Sequence, residues 1–378
     1  MSATAPKGTL GEIATQFLRL GFVAYGGPAA HIAMMEEEFV RRRQWVTRER
    51  FLDLIGAVNL LPGPSSTELA IYFGEIRGGL PGLIVAGACF ILPAAILVVA
   101  LAWAYLKFGT VPQIAGLLFG IKPVVVALLA RAIWNLARTA LKSVALACLV
   151  VLVIVLAVLQ LPTLLLLVGA GVAWMLFREG KRLTRGPSPS LGLLLAGAAS
   201  VSPGSAAVFL YFLKIGAVLF GSGYVLLAVL HADLVVRLHW LTNAQLLDAI
   251  AVSQATPGPF FTVATFIGFI LAGWRGAALA TIGMFLPAFI YVAVTARFLP
   301  QIRKSPLAGA FLDGVNAAAV ALMAFVGWQF ARGSLTNIPA ILIAAVSLIL
   351  VFRDKVNSAW MVLGGALAGI LLQLLKWT

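Results

Sequence analysis

Cysteine, histidine and acid are all scarce in this chain of 378 residues, and each scarcity removes a class of function. The two cysteines, Cys89 and Cys148, sit inside apolar runs, so they make no disulfide framework or Cys-x-x-Cys metal site and read as inert packing. Three histidines and 13 Asp+Glu leave few candidates for a metal or hydrolytic centre. The chain has no Walker A loop, no His-Glu-x-x-His pair and no Ser/His/Asp arrangement in motif context. No enzyme activity and no cofactor are therefore expected. The N-terminus lacks a basic stretch followed by an isolated apolar run and a small-residue cleavage site, so no removed signal peptide is expected.

Apolar side chain is what the sequence has in excess. Hydrophobic residues make up 62% and charged residues 11%, against about 45–50% and about 25% in soluble domains. With a mean hydropathy of +1.04, a soluble fold would have more apolar side chain than interior to hide it. The expectation is an all-α polytopic membrane protein. The net charge of +14 comes from few acids rather than many bases. An excess of Lys and Arg in cytoplasmic loops accounts for it. Nucleic-acid binding would need a basic face interleaved with polar or aromatic readers, and none is seen.

A spanning helix needs about 20 mostly apolar residues. That ruler places segments near 10–34, 51–76, 80–106, 111–136, 143–159 and 162–177, then near 205–229, 246–272, 276–299, 307–331, 338–352 and 359–377. The two sets are copies. A shift of 195 puts Trp45 on Trp240, Thr47 on Thr242, Asp53 on Asp248 and Pro62-Gly63-Pro64 on Pro257-Gly258-Pro259, with 16 identities over the 48 positions 17–64. After one deletion a shift of 194 puts Pro93 on Pro287, Gly120 on Gly314 and Trp134 on Trp328. The expected organisation is a first repeat at 1–180, a basic Pro/Ser linker at 181–190 and a second repeat at 191–378. The short apolar piece 191–201 is too short to span.

If 51–76 and 246–272 are re-entrant hairpins broken at Pro-Gly-Pro, five crossings remain per half. That odd number inverts the second repeat. Placing the 35–50 loop in the cytoplasm then puts 17 Lys and Arg on that side and 6 on the other, as the positive-inside rule requires.

Broken helices carry the candidate site. In Leu61-Pro62-Gly63-Pro64-Ser65-Ser66, Pro62 ends the incoming half-helix. Gly63 and Pro64 suit the N-cap and first position of the next. Free N–H groups at Ser65 and Ser66 then lie at the positive end of a helix dipole. Gly258 repeats this logic with apolar neighbours. Matching breaks in two inverted halves are the best sequence pointer to a transporter's substrate site. A second break, Tyr25-Gly26-Gly27-Pro28, is copied loosely around Gly221. Seven residues before each of these glycines stands a cation, Arg19 and Lys214, within an apolar segment, where cations are rare. Snorkelling is the plainer reading of both. Lys122 lies in one half only, since its copy is Asn316. The candidate substrate-binding residues are thus Arg19, Gly26, Gly27, Gly63, Ser65, Ser66, Lys122, Lys214, Gly221 and Gly258.

Glu68 reads as a proton carrier or as half of an ion pair with a buried cation, and His31 as a proton carrier or a satisfied core residue. His231 and His239 read as solvent-facing. Thr47 and Thr242 suit N-caps, Thr242 with Gln245 in a capping box, so Asp53 and Asp248 read first as structural.

The run Phe17 to His31, with Glu38-Phe39-Val40, Trp45 and the first Pro-Gly-Pro, resembles the signature of the chromate ion transporter family. Gly221, Trp240 and the second Pro-Gly-Pro resemble the second domain of its long members. The sequence departs at Asn59, where many relatives have Gln; Gln254 keeps it in the second copy. The resemblance implies chromate export across the inner membrane, driven by an ion gradient and giving chromate resistance. Sulfate or another oxyanion carrier, or an anion channel, stays open as an alternative. The partners implied are a small inorganic oxyanion, chromate or sulfate, and the lipid bilayer; a homodimer is left open. One repeat is expected to rock against the other.

Overall fold

The structure, a computed structural model, describes residues 8–25, 27–108, 112–183, 204–219, 225–296, 306–353 and 358–375. The described residues are helical, without strands. In the first repeat run α1 (Leu10–Val23), α2 (Gly27–Met35, continued as a π-helical turn Glu36–Arg42) and α3 (Arg48–Val58). They lead into α4 (Ser65–Phe108), α5 (Pro112–Ala140), α6 (Val144–Val158) and α7 (Thr163–Leu183). The second repeat answers with α8 (Ser205–Val218), α9 (Val225–Leu230, with a π turn His231–Arg237) and α10 (Asn243–Ala255). After a 3-10 turn at Phe260–Thr262 come α11 (Val263–Thr295), α12 (Pro306–Ser334), α13 (Ile338–Phe352) and α14 (Ser358–Leu374). The bounds of α1 and α8 differ by the 195 read from the sequence, and those of α5 and α12 by 194. Even unusual backbone is copied: Gln44 and His239 have φ of 52° and 51°, Gly79 and Gly273 of 62° and 59°.

Local chemistry sets the helix starts. Thr9, Thr47, Ser143 and Asn337 each accept a backbone N–H at an N-cap, and Thr242 with Gln245 forms the expected capping box.

The chain reverses at each Pro-Gly-Pro and again inside the helix that follows. Phe51 of α3 stacks on Phe73 of α4 with ring centroids 6.1 Å apart, which only an antiparallel return allows. Gly79 then turns α4 back on itself, so that Gly74 lies against the Gly82 carbonyl. Residues 65–78 and 80–108 are therefore two arms, and only the second has the length of a span. In α11 the bend falls at Ala272 and Gly273, and Thr265 bonds Thr281 across it at 2.7 Å.

The segment near 10–34, expected to cross, instead folds back. Phe17 of α1 packs on Phe39 at 5.0 Å, and Glu12 lies 3.8 Å from Arg43. A stretch that returns to its own end of the molecule does not cross. Removing it lowers the count read from the sequence from five per half to four, an even number, so parity no longer argues for inversion; among the described residues four helices, two in each half, are long and apolar enough to cross a membrane. The contacts between long arms carry that information instead. Tyr105, near the end of α4, touches Phe266 and Asp248 of the second repeat; Tyr72 bonds Thr295, at the end of α11, at 2.6 Å. Between these lies Gly87 against Phe289. The return arms of α4 and α11 therefore run in opposite directions.

Two bundles result, each built from both repeats. In one, α1 packs on α4, α8 on α11 and α4 on α11; in the other, α5 packs on α12, α13 and α14, while α12 packs on α6 and α7. Gly116 and Gly120 of α5 face Gly365 and Gly369 of α14, and Gly314 of α12 faces Gly171 of α7, close approaches of the small-residue kind that membrane helices use. The repeats are interlocked, so neither can rock as a body against the other. The last turn of α7 takes in 181–183 of the expected linker; the apolar piece 191–201 lies outside the described residues.

Candidate functional site

The two Pro-Gly-Pro breaks meet the ends of the opposite repeat's first hairpin. The Gly63 amide donates to the Leu219 carbonyl at 2.8 Å, and the Gly258 amide donates to the Ala24 carbonyl at 2.8 Å. These bonds are copies of one another under the 195 shift. Both glycines are buried, with φ of 136° and 91°. A β-carbon on Gly63 would lie 2.5 Å from the Glu68 carboxyl, and one on Gly258 would lie 2.7 Å from Ala94. Glycine is thus required at both positions by backbone conformation and by space. Since both amides are engaged by the partner repeat, neither offers a donor to a ligand, and any part the two glycines play in binding is through close approach of the backbone.

The half-helix beyond Gly63 does offer donors. Thr67 and Glu68 donate back to the Pro64 carbonyl, whereas among the described residues the amides of Ser65 and Ser66 have no backbone acceptor. Ser66 is buried and Ser65 partly so.

Glu68 and His31 flank this terminus. Glu68 is fully buried, and neither carboxyl oxygen has a hydrogen-bond partner among the described residues. The ion-pair reading of Glu68 thus finds no cation there. His31 is buried, with Nε2 3.1 Å from the Ala24 carbonyl and Nδ1 3.3 Å from Ser66 Oγ. A carbonyl only accepts, so Nε2 carries the proton; in the neutral ring Nδ1 then accepts from the Ser66 hydroxyl. His31 therefore ties the first hairpin's tip to the half-helix start, and the Ser66 hydroxyl faces the imidazole.

The other expected residues are scattered. Arg19 is exposed on α1, and Lys214 is partly buried within electrostatic reach of Asp233. Gly27 opens α2, with φ 79°; Gly26 and Gly221 lie outside the described residues. Lys122 is engaged elsewhere: its Nζ lies 3.1 Å from Asp248 Oδ1, and Tyr105 donates to the other oxygen at 3.1 Å. From sequence Asp248 reads as structural, because it sits beside a capping box. Its one available signal is that Lys122, one of two intramembrane cations (with Arg131) found in one half only, needs a buried acid. His231 is buried, not solvent-facing, and its Nε2 lies 2.8 Å from Asn243 Oδ1; the polar partner at the start of α10 lets it enter the core. His239 is exposed.

The pattern known as chromate transporter matches residues 11–175 and again 206–370. The chain belongs to the chromate transporter family. Across 97% of its length it is 32% identical to a chromate transport protein of Cupriavidus metallidurans, covering 94% of that protein. It is 29% identical to a chromate transport protein of Pseudomonas aeruginosa, over 97% of this chain and 93% of the relative. An uncharacterised transporter of Methanocaldococcus jannaschii is 25% identical over 96% of this chain and 94% of its own. No solved structure matches. The family's doubled pattern coincides with the two helical repeats, and the apolar helices make the chain a multi-pass membrane protein.

Within this family frame, the chemistry of the tip region is one-sided. Ser65, Ser66, Glu68 and His31 stand where the second repeat has Phe260, Phe261, Val263 and Leu226. The backbone architecture is duplicated and the polar lining is not.

Proposed function

We propose that this family member is a secondary transporter that exports chromate across the inner membrane, coupled to an ion gradient, and so confers chromate resistance. In this reading the repeats are inverted across the bilayer, with the 35–50 loop cytoplasmic, and the anion binds at the first repeat's half-helix terminus. One observation carries it. The Ser65 and Ser66 amides, unmatched by backbone acceptors, point from a broken helix held between the tips of both repeats. A helix N-terminus favours anions through its N–H groups and dipole. Non-helical backbone at membrane depth is tolerated where it is buried or lines a cavity. The apolar residues at the same positions of the second repeat make it a wall rather than a second site.

Glu68 supplies the coupling. Burial of a bare carboxylate is costly, so proton loading at Glu68 is tied to hydration of the site. Its charge next to the half-helix also opposes a dianion. Proton and anion occupancy are thereby linked through one residue. Uptake of labelled chromate and of labelled sulfate into proteoliposomes, with and without an imposed pH gradient, tests the reading. Saturable chromate flux that responds to the gradient supports it. Preference for sulfate reassigns the anion, and non-saturable flux indifferent to the gradient makes the protein a channel.

A further inference from the structure

The two repeats have the same helices but meet the flanking bundle differently. In the second repeat, α10 packs against α5, α12 and α14, and α9 against α12 and α7. Among the described residues, α2 and α3 make no comparable packing against α5, α7, α12, α13 or α14. Identical residues register the difference: Leu247 of α10 is 4% exposed, whereas its copy Leu52 of α3 is 51% exposed. All six residues of α9 are buried, while the corresponding turn of α2 includes the exposed Ala33. At the engaged end a charge pair crosses between bundles. Lys122 belongs to α5 of the flanking bundle, Tyr105 to α4 of the other bundle, and Asp248 to α10, which leads into the second Pro-Gly-Pro tip.

We propose that the molecule is closed at the end of the second-repeat hairpins and open at the end of the first-repeat hairpins, and that Lys122–Asp248, braced by Tyr105, is the lock on the closed end. The inference rests on the transporter reading but not on its substrate. A site reached from one end at a time requires a bundle interface that closes at either end in turn. Pseudo-symmetry supplies the alternative contact, because docking α3 against α12 brings Asp53 toward Asn316, the copies of Asp248 and Lys122. There the acid meets an amide rather than a cation. Asp248 is buried and Lys122 half-buried, and parting them leaves the Asp248 charge uncompensated, so the lock biases the molecule toward the state seen. Lys122 is on this account a gating residue that never touches the anion, which replaces its expected role in substrate binding.

Thiol labelling in membrane fragments tests the lock without any anion present. Cys89 and Cys148 are replaced by alanine, and a water-soluble maleimide reaches both sides. Leu52→Cys labels at least tenfold faster than Leu247→Cys in the parent. Lys122→Gln raises the Leu247→Cys rate at least fivefold, and Asp248→Asn does the same. Asn316→Lys, which gives the opposite end its own ion pair, slows labelling of Leu52→Cys. The exchanged pair Lys122→Asp with Asp248→Lys returns the parent rates and guards against a folding defect. Unchanged labelling in both single variants overturns the lock. If chromate flux is lost while labelling stays at parent rates, Lys122 serves the anion instead. Shifted labelling in a protein that carries no chromate leaves the lock standing and removes the substrate assignment.

Discussion

In the proposed reading coupling turns on Glu68, and the isolation of this residue makes a sharp expectation. A carboxyl with no hydrogen-bond partner among the described residues repels a dianion at the adjacent half-helix terminus when charged and tolerates it when protonated. The half-saturation concentration of the parent protein for chromate therefore falls as pH is lowered, while Glu68→Gln holds the low-pH value across the range. Chromate's own protonation affects both proteins alike, so the difference between their pH profiles is the measure; parallel profiles would remove Glu68 from coupling. His31 acts through its neighbours. Its ring joins the Ala24 carbonyl, which also receives the Gly258 amide, to Ser66. Loss of that bridge in His31→Leu raises the half-saturation constant, and Ser66→Ala in the same background adds little, because each removes the same contact. Additive effects would show that the Ser66 hydroxyl reaches the anion directly.

At the scale of elements, the two broken-helix hairpins decide how much was legible. The Pro-Gly-Pro breaks, the Thr47 and Thr242 caps and the offset of 195 were all readable, because proline, glycine and cap residues act over a few positions. The fold-back of α1 and α2 was not. A 25-residue apolar segment and a re-entrant pair have one hydropathy profile, and only Phe17 against Phe39 and Glu12 beside Arg43 separate them. Equally hidden was the engagement of the Gly63 and Gly258 amides by the opposite repeat, since a hydrogen bond across 156 positions, from Gly63 to Leu219, leaves no local trace. These elements predict a contrast. Gly63→Leu forces a side chain at φ 136° onto Glu68 and abolishes transport even where protein reaches the membrane. Ser65→Ala leaves the backbone amide in place and raises the half-saturation concentration only modestly, since a hydrogen bond to a charged group contributes about 1.5–3 kcal/mol and only the hydroxyl's share is lost. Flux assays on matched amounts of membrane protein compare them; a worse defect in Ser65→Ala would put the hydroxyl ahead of the backbone.

The whole molecule is two interlocked repeats that share two bundles, and its central claim is that the repeats approach the site from opposite faces of the membrane. Charge asymmetry suggested this from sequence through a crossing count that the fold-back of α1 and α2 undid; the opposed return arms of α4 and α11 support it on separate grounds. Sidedness of labelling tests it most directly. With Cys89 and Cys148 replaced by alanine, Arg42→Cys and Ala244→Cys place single thiols at exposed positions near the bases of the two sets of hairpins. In sealed vesicles of known orientation, an impermeant maleimide labels Arg42→Cys from the cytoplasmic face and Ala244→Cys from the opposite face alone. Labelling of both from one face would contradict the account.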